Sequence, residues 1–116
     1  MDLRESDMST TLTKKIKSAV DATIPAADDY RIFSAPTGFD DMVVVRVITP
    51  AWAKLGKAER IAKVQNAVMP KLSASEQAKI FRFSVLTPTE WNGIRNSFGA
   101  VRSSLIGRRT LRSIAS

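Results

Sequence analysis

The stretch FSVLTPTEW, Phe83 to Trp91, changes character at its middle. Phe81, Phe83 and Val85 alternate with Arg82 and Ser84, the two-residue period of a strand with one buried face. At Thr87 the alternation stops. Thr87 reads as a helix N-cap, Pro88 as the first helical residue and Glu90 as the third, so Thr87 and Glu90 can form a capping box. Leu86 and Trp91 have the spacing of a hydrophobic staple. Every residue of LTPTEW thus has a structural role that needs no chemistry.

The same device stands earlier, in VITPAW, Val47 to Trp52. Thr49 can cap a helix that has Pro50 at its first position and runs to about Val68. Ile61, Val64 and Val68 form its apolar stripe, flanked by Leu55 and small alanines, and Lys57, Arg60 and Lys63 fall on the outer side. Upstream, MVVVRVI, Met42 to Ile48, is a strand covered on both faces or nearly so. YRIFS, Tyr30 to Ser34, is a second strand, and the turn-rich APTGFDD makes the two a hairpin. Before them Leu12, Ile16, Ala19 and Val20 mark one face of a helix that starts at Thr10 or Thr11 and ends before Pro25. After Pro70, SASE (Ser73 to Glu76) is the capping box of a short helix.

The order is therefore α-β-β-α-α-β-α: an α+β domain with a three-stranded sheet and helices on one face. Residues 1–9 read as a flexible tail and 10–91 as the domain. Residues 92–116 read as a basic C-terminal helix or arm, in which Ile94, Phe98, Val101 and Leu105 repeat at spacings of four, three and four. Arg95, Arg102 and Arg109 recur there every seven residues, and Gly99 and Gly107 weaken the helix. Such a segment either packs its stripe on the sheet or orders on nucleic acid, an acidic partner or anionic lipid.

Composition narrows the chemistry. The 116 residues hold no cysteine and no histidine, which excludes disulfides, Cys/His zinc sites, thiol catalysis and imidazole acid–base work within this chain. Asp28–Asp29 and Asp40–Asp41 are adjacent pairs that read as turn residues. With no acid–base pair or nucleophile in view, an enzyme is not expected. No run of apolar residues is long enough to span a membrane, and the polar start MDLRESDMST lacks a secretory core, so the expected location is cytoplasmic. Net charge is +7 and uneven. Residues 1–41 carry eight acids against five bases, and 42–116 carry three acids against thirteen bases. That polarity favours an anionic partner for the C-terminal part: nucleic acid, an acidic protein or a membrane surface.

ITPAWAKLGKAERIAKV (48–64) and TPTEW (87–91), in this order and spacing, resemble segments of the BolA-like proteins, whose fold is related to class II KH domains. In the first an aromatic enters the helix (Trp52), an arginine follows (Arg60) and a valine closes the turn (Val64). The similarity spans residues 10–91. It implies the α-β-β-α-α-β-α fold and a nucleic-acid-binding or regulatory role through the helix–turn–helix region. The family is also associated with sharing an iron–sulfur cluster with a monothiol glutaredoxin. Here Ile61 stands where the family usually has a histidine, and the chain offers iron no thiolate or imidazole. No cofactor is therefore expected. A KH-type Gly-x-x-Gly between the helices is also missing.

The leading expectation is a small, basic, non-enzymatic module that binds DNA or RNA. Its phosphate contacts would come from Lys54, Lys57, Arg60, Lys63 and Lys71, with Arg95, Arg102 and Arg109. The alternative is a protein-interaction adaptor that docks an acidic or apolar partner on the basic face and the C-terminal stripe, without an iron–sulfur cluster.

Overall fold

A computed structural model describes residues 10–38, 42–94 and 104–110. The elements are α1 (Thr10–Thr23), β1 (Tyr30–Pro36), β2 (Val43–Ile48) and α2 (Lys57–Val68), then a 3-10 turn (Met69–Lys71), α3 (Ala74–Gln77), β3 (Ile80–Leu86), α4 (Pro88–Ile94) and β4 (Ser104–Arg109). The class is α+β, and the sheet is mixed, in the order β3-β2-β1-β4.

β1 and β2 pair antiparallel as a hairpin, with Phe33 opposite Arg46. Gly38 lies in its loop at φ 88°, a conformation that only glycine adopts cheaply. β2 and β3 pair parallel, which requires a long crossover, supplied by α2, the 3-10 turn and α3. β2 is thus flanked on both sides and reads as a valine run, as a doubly covered strand should.

One face of the sheet makes the main core. Tyr30 and Ile32 of β1, Val43, Val45 and Val47 of β2, and Phe83 and Val85 of β3 pack with Leu12, Ile16, Ala19 and Val20 of α1 and Val64 and Val68 of α2. The α1 stripe is buried as its spacing predicts. Both capping boxes also form. The Ser73 hydroxyl accepts from Glu76 N at 3.2 Å, and the Thr87 hydroxyl accepts from Glu90 N at 3.2 Å. In return Glu76 and Glu90 accept the backbone N–H of Ser73 and Thr87 at 2.8 and 2.9 Å.

Four expectations need correction. The helix does not start at Pro50. Residues 50–55 form tight turns, and α2 begins at Lys57, behind Gly56, whose N–H is accepted by Glu59. The break goes with Arg60: its guanidinium donates to the carbonyls of Trp52, Ala53 and Leu55, and the Trp52 carbonyl also accepts the Leu55 N–H in a turn. Thr49 caps this turn instead, accepting from Ala51 N while donating to the Asp29 carbonyl.

The sheet has four strands, not three. Residues 104–109, read as helix, form β4 and add to the outer edge of β1. The pairing places Gly107 opposite Ile32 and Leu105 opposite Phe33, with Ile106 extra in a bulge. At Gly107 a side chain would come within 2.8 Å of Lys17 Cγ, so the close approach of β4 to α1 favours glycine there.

Nor do all helices share one face. Trp91 of α4 meets Arg46, which projects from β2 away from the main core. Finally, Phe81 is not on the buried face. It is the extra residue where the β2–β3 register shifts, and it is 48% exposed.

Candidate nucleic-acid interface

The cations picked out in the sequence divide into three groups. Lys54, Lys57, Lys63 and Lys71 are exposed, as expected. Lys63 Nζ lies 5.9 Å from the Trp52 ring centre, and Lys71 lines a shallow groove with Thr11, Lys14, Lys15 and Ser18 of α1. Lys15 is already committed to Glu76 at 2.8 Å, and this contact, first among the causes, holds the Glu76 carboxyl below its usual range. Arg95 and Arg102 lie outside the described residues.

Arg60 and Arg109 are turned inward. Arg60 is 4% exposed. Its Nε donates to the carbonyls of Trp52 (3.0 Å) and Leu55 (3.1 Å), Nη2 donates to Ala53 O, and Nη1 meets Glu90 Oε1 at 2.7 Å. The guanidinium, and then the Thr87 N–H, drive the Glu90 pKa down to about 2. The expectation of Arg60 on the outer side of α2 is corrected: its fork is taken up by acceptors of its own chain.

Arg109 is similarly occupied. Its nitrogens donate to Pro25 O (2.7 Å), Asp28 O (2.9 Å) and Asp21 O (3.0 Å), and reach Asp21 Oδ1 at 3.3 Å. It stacks 5.0 Å from the Tyr30 ring centre. The Tyr30 hydroxyl donates to Asp21 at 2.7 Å. That bond is the main reason the Asp21 carboxyl titrates low; burial first, and then Asp21, raise the Tyr30 hydroxyl. Arg109 therefore ties β4 to the end of α1, and the expected placement on a helix edge is corrected.

A different set of cations comes together on the second face of the sheet, the one turned away from α1 and α2. The four strands contain no acid, but they carry Arg31, Arg46, Arg82, Arg108 and Arg109. Strand alternation and register put four of these five on the second face. One row reads Leu86–Ile48–Arg31–Arg108, the next Ser84–Arg46–Phe33–Leu105, and the third Arg82–Val44–Ala35. The Arg31 guanidinium lies 5.8 Å from the Phe33 ring centre. Arg46 is nearly buried beneath Trp91, with its guanidinium 5.0 Å from that ring. Burial, and then the like charge of Arg82, lower the Arg46 pKa. Among the described residues no carboxylate pairs with Arg31, Arg82 or Arg108. Beside them Leu105 is 52% exposed.

Arg31, Phe33, Arg46, Arg82, Leu105 and Arg108 were not among the residues expected to bind nucleic acid. A signal for the first four was present: each is next to a core residue of its strand, as Arg46 is between Val45 and Val47. Leu105 beside Phe33 and Arg108 beside Arg31 required knowing that β4 is a strand.

Among the described residues no three acidic side chains gather as a metal site, and no helix is long and apolar enough to cross a membrane. No family model, no curated protein and no solved structure matches the chain.

Proposed function

We propose that this protein is a small non-enzymatic module that binds nucleic acid, with the second sheet face as its contact surface. The observation that carries this reading is the acid-free sheet with Arg31, Arg82 and Arg108 on one face. Arginine presents a planar fork suited to phosphate and is weakly hydrated, so its transfer to a phosphate costs less than that of lysine. Arg82 and Arg108 are exposed and Arg31 is half-buried, and with no carboxylate paired to them among the described residues their charge is open to a ligand. The order α-β-β-α-α-β-α up to Ile94, with a parallel β2–β3 pair, supports a divergent BolA-like module, extended by β4.

Lys54, Lys57 and Lys63 offer phosphate contacts elsewhere, around the helix that packs on the first face. They belong to a separate surface, so charge removal can tell the two surfaces apart.

The test is titration of labelled oligonucleotides at low salt, with polyglutamate as the competing anionic peptide. Three phosphate contacts predict a loss of roughly 20- to 40-fold in affinity between about 50 and 200 mM salt. Changing Arg31, Arg82 and Arg108 together to Gln should abolish most of the binding and flatten that slope. No binding of any nucleic acid at about 100 μM protein would reject the reading, since non-specific binders reach that range. Polyglutamate displacing oligonucleotide at equal charge concentration would instead favour the adaptor role, for which exposed Leu105 and Phe81 are the apolar anchors.

A further inference from the structure

We infer that the nucleic acid taken up by this face is single-stranded, and that Phe33 is the platform on which a base stacks. The inference rests on the nucleic-acid reading above and narrows its substrate class.

A sheet face and a duplex meet differently from a sheet face and a single strand. Duplex bases are stacked on one another and show a protein only their edges, whereas an unpaired base exposes its π-face. A protein that binds phosphate alone needs cations and no apolar surface between them. Here Phe33 lies beside Arg31 and opposite Leu105, and Leu105 is half exposed in the same row. Arg31 and Arg108 form the adjoining row, and Arg82 belongs to the row on the other side. The apolar pair is therefore bordered by cations along one side, by Arg31 and Arg108, while Arg82 stands farther off on the opposite edge strand, two strands from Phe33. That is the arrangement expected for a strand whose bases turn toward the sheet while its phosphates run past arginines.

Strand geometry supports the fit. Side chains on one face of a strand recur about every 6.6–6.8 Å, and neighbouring strands stand about 4.8 Å apart. An extended single strand can match such spacings, one base over Phe33 and the next over Leu105. The rigid convex surface of a duplex cannot lower its bases onto a side chain that is itself half-buried in the sheet. A second copy of this chain is a poor occupant, because the two arginine faces would repel.

The experiment compares one mixed-sequence oligonucleotide as single strand and as duplex, at equal salt. The proteins are the wild type and the variants Phe33→Ala, Phe33→Leu and Phe33→Tyr. The single strand should bind at least tenfold more tightly than the duplex. Phe33→Ala should lose about 5- to 150-fold for the single strand, the range for one stacked base, and change duplex binding little. Phe33→Tyr should restore binding, because it keeps the ring. Phe33→Leu keeps apolar bulk without a π-face and should behave like Ala, which separates stacking from folding if Ala proves unstable. Equal binding of both forms, or full affinity in folded Phe33→Leu, would overturn the inference and leave the nucleic-acid reading standing. Absence of binding to either form would overturn both.

Discussion

Two regions of this small domain use arginine in opposite ways. Between α2 and α4, Arg60 is enclosed, and its donors go to three carbonyls and Glu90. On the second sheet face, Arg31, Arg82 and Arg108 have no carboxylate partner among the described residues. All four carry the same charge. What separates them is the supply of acceptors within reach. The turn at 50–55 exposes carbonyls that a helix would have consumed, and Arg60 collects them. The strands contain no acid, and among the described residues no carbonyl or carboxylate meets Arg31, Arg82 or Arg108, so their charge is not taken up within the described fold. A count of cations along the chain therefore does not show which of them are taken up by the fold, whereas a count of nearby acceptors does.

The sharpest way to break this comparison is to remove Arg60. Arg60→Gln takes the guanidinium away from the carbonyls of a tight turn and from Glu90, which keeps only the Thr87 N–H. It should lower stability by about 3 kcal/mol, the low end for a broken buried pair because Glu90 keeps partial contact with water. A thermal melt should show a fall of roughly 10 °C or more. Oligonucleotide affinity of the folded protein should be unchanged. A stable variant that binds weakly would mean that Arg60 belongs with the ligand-facing arginines.

Arg109 stands between the two extremes. It lies on a strand, yet it clasps the end of α1. Arg109→Gln should cost about 2 kcal/mol, as expected for hydrogen bonds to a charged group. The loss should be centred on β4: hydrogen exchange should quicken at 104–109 before it quickens in β2. Uniform protection would contradict the clasp.

Acid provides a smaller, reversible version of the Arg60 test. The Glu90 pKa is lowered in the folded state to about 2. A depressed carboxyl contributes stability that is fully present above its unfolded value near 4.5 and is lost as pH falls toward 2. Urea melts from pH 6 down to about 2 should trace that loss, and Glu90→Gln should start lower and show a shallower slope. Identical slopes would remove Glu90 from the acid-sensitive set.

How far the sequence could be read follows from the range of the interactions involved. The Thr87–Glu90 and Ser73–Glu76 boxes were legible because both partners lie within four residues. The α1 stripe was legible because helical spacing is local. Arg60 was misplaced because its ion-pair partner is 30 residues away and its carbonyls belong to a turn that resembles a helix start. β4 was misread because Leu105 continues a helical spacing from Ile94, while its true partner, Phe33, lies far earlier in the chain. The proposed binding face was hidden as a face for the same reason. Its rows exist only after four distant strands take their register.

The smallest expected effect is on the stability of the proposed binding face itself. Replacing Arg31, Arg82 and Arg108 by Gln should move the melt little, by about 0.5 kcal/mol or less per site, as is usual for surface substitutions.

The central claim is tested most directly by setting that triple variant against Lys54/Lys57/Lys63→Gln. Both remove three positive charges, so long-range attraction falls equally and only local contact differs. Fluorescence anisotropy with a labelled single-stranded oligonucleotide should show the arginine variant losing nearly all affinity and the lysine variant retaining most of it. The reverse order, or an equal loss in both, would contradict the assignment of the sheet face as the binding surface.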